Sequence, residues 1–215
     1  MWRVEFHCHT DRSKDSLCRP QSLVDACRVK GIDRVVITDH NTIAGALAAK
    51  VLDAERVIVG EEIMTTRGEI LAAFVSEEVP AGLTPQETIL CLRGQGAFVS
   101  VSHPFDTWRS GGWEEEDLLE IVPLIDAIEI YNSRCVRPSF NRNALAFAKL
   151  HNLAGTVGSD AHTCFELGRS VLLLEPFDGP DGLRKVIHLA QPNTKWSLPW
   201  IHLTSRFAVI RKRLI

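Results

Sequence analysis

Val4-Glu5-Phe6-His7-Cys8-His9-Thr10 is a short apolar run that ends in two histidines one residue apart. In an extended chain, residues i and i+2 point to the same side. His7 and His9 can therefore present both imidazoles to one point just past a strand's C-terminal end, and imidazole is a common metal ligand. On its own the pair also fits two ordinary strand-end histidines. Four further clusters shift the reading: Thr38-Asp39-His40, Gly60-Glu61-Glu62, Ser102-His103-Pro104 and Gly158-Ser159-Asp160-Ala161-His162. Each follows an apolar, β-branched run. Metal-type residues that recur at successive strand ends point to one shared site.

Helical patterns fill the gaps between these strands. Residues 20–30 open on Pro20, set Leu23, Ala26 and Cys27 on one face and stop at Gly31. Thr42 to Ala54 is rich in Ala and Leu. Thr84-Pro85-Gln86-Glu87 combines an N-cap residue, a first-turn proline and a first-turn acid, so a helix starts there. Strands are expected near residues 4–6, 35–37, 57–59, 70–75, 97–101, 127–130, 155–157 and 171–174, and further helices over 114–122, 142–151 and 179–189. Alternating strands and helices imply a mostly parallel sheet with right-handed crossovers. In α/β barrels the site lies at the strands' C-terminal face, where these clusters fall.

The predicted fold is therefore α/β: one irregular (β/α) barrel of about seven or eight units. It spans residues 1–190, and residues 191–215 form a basic extension packed on or beside it. After Asp181 the chain has no acid, while Arg184, Lys185, Lys195, Arg206, Arg211, Lys212 and Arg213 are basic. Trp196, Pro199 and Trp200 read as an irregular linker. Thr204 to Leu214 reads as a helix docked by Phe207, Val209 and Ile210, its bases in solvent.

A chain of 215 residues can bury a full core without staples. A formal charge of -3 and a pI near 6.2 speak against a protein that coats nucleic acid. No apolar run reaches bilayer length, and charged Arg3 and Glu5 interrupt the opening, so neither a membrane span nor a secretory signal is expected. The six cysteines form no CxxC pair, so free thiols in a reducing cytoplasm are expected.

The ligand inventory is His7, His9, Asp15, His40, Glu62, His103, Asp160 and His162, with Asn132 or Cys135 possible. That exceeds one tetrahedral site and allows two or three divalent ions. Mixed imidazole and carboxylate ligands suit zinc, manganese or iron. Clustered cations make hydroxide available near neutral pH and neutralise an ester's oxygens during in-line displacement. Both jobs fit hydrolysis of a phosphoester.

The series His7-Cys8-His9, Ser13 and Asp15, Thr38-Asp39-His40-Asn41-Thr42, Gly60-x-Glu62, His103-Pro104 and Ser159-Asp160-Ala161-His162 resembles the PHP (polymerase and histidinol phosphatase) family. The match runs in order from residue 4 to about residue 174. The resemblance implies a distorted seven-stranded barrel, a trinuclear metal centre and phosphoesterase activity. It would give His7, His9, Glu62 and Asp160 to a first metal. Glu62 and His103 would hold a second, with a further ligand from Asn132-Ser133-Arg134-Cys135, where Cys135 is preferred as the softer ligand. Asp15, His40 and His162 would hold a third. Family spacing favours Glu62 over Glu61.

Asp39 reads as an acceptor that orients a ligand imidazole. Arg109 and Arg134 sit just past metal-bearing strands and are expected to grip a substrate phosphate. His151 and His188 read as surface or dipole-pairing histidines, and His202 carries no signal. Substrates compatible with the resemblance are small phosphomonoesters, nucleotide phosphates and the ends of short oligonucleotides, with no stable nucleic-acid partner. Two other readings compete. An amidohydrolase also begins with HxH on a barrel strand, yet the lysine that would bridge its metals is missing here. A non-catalytic barrel would keep metals only to support structure or a partner.

Overall fold

The computed structural model describes residues 1–214. Nine strands join in one sheet: β1 (Trp2–Glu5), β2 (Arg34–Ile37), β3 (Val57–Met64), β4 (Glu69–Ala73), β5 (Phe98–Val101), β6 (Ala127–Asn132), β7 (Ala154–Gly158), β8 (Ser170–Leu174) and β9 (Gln191–Thr194). Their order is β7-β6-β5-β4-β3-β2-β1-β8-β9. The first seven run round a barrel that closes between β7 and β1. Just past both strands, Asp160 N–H donates to His7 O and His9 N–H to Ala161 O, each at 2.8 Å. That closing seam carries three of the expected ligands.

Pairing is parallel except around β4, which is antiparallel to β3 and β5, and at β8, which is antiparallel to β1 and β9. The reversed β4 distorts the barrel. It also brings the start of β4, rather than its end, to the face where the parallel strands end. Val4, Phe6, Val36, Ala73, Phe98 and Val157 belong to one apolar cluster of the core. A second joins Leu23, Val24 and Cys27 of helix α1 (Pro20–Val29) to Val35, Ile37 and Val59.

The helices α2 (Ala44–Leu52), α3 (Pro85–Gly94), α4 (Glu115–Ile121), α5 (Pro138–Leu150) and α6 (Gly179–Val186) lie where the periodicity put them, with shifted ends. Helix α3 has the full capping box: Thr84 accepts from Glu87 N–H and the Glu87 side chain accepts from Thr84 N–H. Helix α5 starts four residues before the expected Arg142, because Pro138 supplies a first-turn proline that the alanine-rich run hides. Strand β3 continues through Gly60, Glu61 and Glu62, so both glutamates lie inside a strand rather than past its end.

Two expectations are overturned. Cys18 and Cys164 form a disulfide across 146 residues of sequence, while Cys8, Cys27, Cys91 and Cys135 stay free. Sequence spacing could not show it, because barrel closure is what brings the two loops together. The C-terminal helix α7 (Ile201–Arg213) docks through Ile201, Ala208 and Lys212, while Phe207 and Ile210 are each 58% exposed. Residues 191–194, the start of the basic extension, pair with β8 as β9. Among the described residues no helix is long and apolar enough to cross a membrane.

Candidate metal centre

The clusters converge at one end of the barrel. Glu62 stands at the centre. Its Oε1 lies 3.2 Å from His7 Nε2 and 3.3 Å from His103 Nε2. Its Oε2 lies 2.9 Å from His40 Nδ1 and 3.5 Å from His9 Nε2. Asp160 Oδ1 is 3.5 Å from His7 Nε2 and 3.3 Å from His9 Nε2. Asp15 Oδ2 is 3.1 Å from His162 Nε2 and 3.6 Å from His40 Nε2. Glu61 faces elsewhere: its Oε2 accepts from Val79 N–H at 3.1 Å.

The outward nitrogens of three of the imidazoles are fixed by partners, which sets the ligating face of those rings. His7 Nδ1 donates to Glu129 Oε1 at 2.9 Å, His9 Nδ1 to Ser13 Oγ at 3.1 Å, and His162 Nδ1 to Asp160 O at 2.8 Å. Ser13 Oγ in turn donates to Asp39 Oδ1 at 2.6 Å. Asp39 does not itself touch an imidazole. It orients His9 through Ser13 and also accepts from Thr10 N–H and Oγ1. Gly45 is required here, since a Cβ at that position would run into Asp39 Oδ2 and Thr10 Oγ1.

The buried atoms left without a hydrogen-bond partner include His7 Nε2, His9 Nε2, Asp15 Oδ1 and Glu62 Oε2. Orphaned lone pairs that converge this way are costly unless a cation takes them up. The ligand atoms of His9, His40 and His162, of His7, His9 and Glu62, and of His40, Glu62 and Glu69 each lie within 4.8 Å of one another. The donor set therefore fits divalent metals. Burial, together with His162 and His40, pushes His9 down to about 4, so its ring is neutral and able to ligate at pH 7. Burial opposes charge on Glu62, yet His7 and His40 hold its carboxyl well below the usual range. His103 and Asp160 adopt positive φ of 22° and 52°, a strained backbone that aims their side chains inward.

Cys135 is not part of any of these groups. It is buried in a separate small pocket with Phe105, Glu129 and Phe140, and burial raises its thiol well above the ordinary value. Asn132 is also engaged: its Nδ2 donates to Glu129 and Asp160, and its Oδ1 accepts from Arg134 N–H. Glu69 rather than Cys135 lies beside these rings, 3.4 Å from His103 Nε2 and 3.6 Å from His40 Nδ1.

Arg109 and Arg134 both line the cavity above the centre, but each is tied to protein. Arg109 pairs with Asp160 and Asp106, and Arg134 Nε lies 3.2 Å from Glu166. Sequence reasoning passed over Glu69, Glu129 and Glu166. Glu129 had a readable signal, a lone acid between isoleucines in a buried strand. Glu69 had none, because the apolar run that marks its strand in the sequence begins only at Ile70.

Residues 138–192 match the PHP-associated family. The uncharacterized protein MJ0417 of Methanocaldococcus jannaschii is 34% identical over 173 residues, covering 79% of this chain and 69% of its own. A Bifidobacterium adolescentis protein assigned as a metal-dependent phosphoesterase superposes with a TM-score of 0.61 at 19% identity, over 75% of this chain and 87% of that one. The lesion-specific endonuclease EndoQ of Pyrococcus furiosus gives 0.63 at 16% identity, over 89% of this chain and 57% of that one. The chain belongs to the PHP family, whose barrel fold it carries.

Proposed function

We propose that the protein is a metal-dependent phosphoesterase that hydrolyses a phosphomonoester, a nucleotide phosphate or the end of a short oligonucleotide. The observation that carries this reading is Glu62, whose two carboxylate oxygens face four imidazoles. One carboxylate so placed can bridge two cations. His7, His9, Glu62 and Asp160 would hold one divalent ion, His103, Glu62 and Glu69 a second, and Asp15, His40 and His162 a third. Zinc, manganese and iron all suit these ligands. Such ions supply an activated water and neutralise charge on the ester oxygens.

The chain's own residues do the remaining work. Glu129, Ser13 and the Asp160 carbonyl fix the imidazoles. Arg109, paired with Asp160 at the cavity wall, would steady that carboxylate beside the substrate. A cavity of about 650 Å³ is large enough for a nucleotide-sized ester. The test is elemental analysis of the purified chain followed by a phosphomonoester and oligonucleotide screen with Mn²⁺. Two or three ions and hydrolysis are expected. A metal-loaded protein inactive on every phosphoester would instead favour a metal-stabilised, non-catalytic barrel.

A further inference from the structure

Helix α7 forms one wall of the cavity, to which it contributes His202, Ser205 and Arg206. It is pinned at both ends. Near its start, the buried Arg134 donates from Nη2 to Ile201 O at 3.0 Å and to Ser205 Oγ at 2.8 Å. Near its end, Lys212 Nζ donates to the carbonyls of Asp11 and Ser13 at 2.5 and 2.6 Å, in the segment that also carries Asp15. A helix fixed this way is a built surface of the site rather than an appendage beside it.

The charges along the cavity are unevenly distributed. Its acids, Asp15, Glu69 and Asp160, all belong to the candidate metal centre. Arg109 and Arg134 are already paired with carboxylates. Lys14 and Arg206 remain, and among the described residues neither has a carboxylate partner. Two unpaired cations in a concave wall focus positive potential into the cavity. Arginine in addition offers a planar fork that matches a carboxylate or phosphate. A single phosphoryl group on the metals would fill little of the volume and leave both cations unused.

We propose that Lys14 and Arg206 hold an acidic group of the substrate remote from the phosphoester being cleaved, so that the enzyme selects phosphoesters bearing a second anion. This rests on the phosphoesterase reading. The test uses non-hydrolysable probes on the full, Mn²⁺-loaded chain. Binding of ω-carboxyalkylphosphonates of increasing length is measured by calorimetry against alkylphosphonates of matched length. The carboxylate should strengthen binding roughly tenfold at the best length, as a charge-assisted contact allows. The Lys14→Gln/Arg206→Gln double variant should abolish that difference with its metal content intact. Lys185→Gln, an exposed site on α6, should keep it. No carboxylate preference in the wild type, or a preference that survives in the double variant, overturns the proposal. Hydrolysis without the preference would sink this inference alone. The preference without hydrolysis would instead sink the phosphoesterase reading.

Discussion

Glu62 and Glu69 lie on neighbouring antiparallel strands, and each places a carboxylate oxygen within 3.4 Å of the same nitrogen, His103 Nε2. Two acids so close repel, and burial together with Glu62 raises Glu69. A cation between them relieves that repulsion, which is why the pair is read as a metal-holding unit.

Glu62→Gln should lose at least one ion and most turnover, because neighbouring cations repel once the bridging charge is gone. Glu61→Gln should keep its metals, since Glu61 faces Val79. The two variants, compared by elemental analysis and phosphatase assay, decide the matter. If the behaviours are exchanged, the ligand list is wrong.

Glu61 also predicts a pH effect. Burial pushes it up to about 7 in the folded chain, from 4.5. The native state thus holds this proton more tightly than the unfolded chain. The stability it contributes is complete below 4.5 and is lost as pH rises through about 7. Relative to wild type, Glu61→Gln should therefore gain stability from pH 5 to pH 8, on the order of 1–3 kcal/mol by denaturant titration. A stability difference that stays flat across that range contradicts the assignment.

Glu129→Gln should weaken metal affinity about 10–100-fold, the usual effect of losing a carboxylate behind a ligating histidine. Glu129 Oε1 accepts from His7 Nδ1, and its Oε2 accepts from His103 N–H and Asn132 Nδ2. Competition with a chelator measures the change. Wild-type affinity would show that His7 needs no such partner.

Gly158→Ala should fail to assemble the centre even if the barrel folds. A Cβ there would collide with His7 Cβ and Glu129 Oε1, and neither can retreat within a packed barrel end. Circular dichroism together with metal analysis separates loss of the site from loss of fold. Full metal content would mean that the seam is looser than its packing indicates.

Cys164→Ser should lower stability by roughly 2–4 kcal/mol under oxidising conditions, as expected for a long closed loop. It should also loosen metal retention, because the bond joins the loops that carry Asp15 and His162. Thermal melts with and without a dithiol reductant provide the check. A reductant that leaves the wild-type melt unchanged would show that the bridge contributes nothing.

The sequence by itself determined the alternation of strands and helices, and hence the barrel. It also placed His7, His9, His40, Glu62, His103, Asp160 and His162 on one rim, because residue periodicity and strand-end position are local properties. What it left open depended on contacts between distant segments. Glu69 reaches the rim only because β4 runs backwards, a matter of sheet pairing. Cys135 looked like a ligand from its place in the chain, but the turn after β6 buries it behind Glu129 instead. Cys18 and Cys164 meet only when β7 closes on β1. The outer face of α7 is as apolar as its docked face, so composition could not orient it. The hydrogen bonds of Arg134 and Lys212 did, and they turned the basic C-terminal helix into a wall of the site.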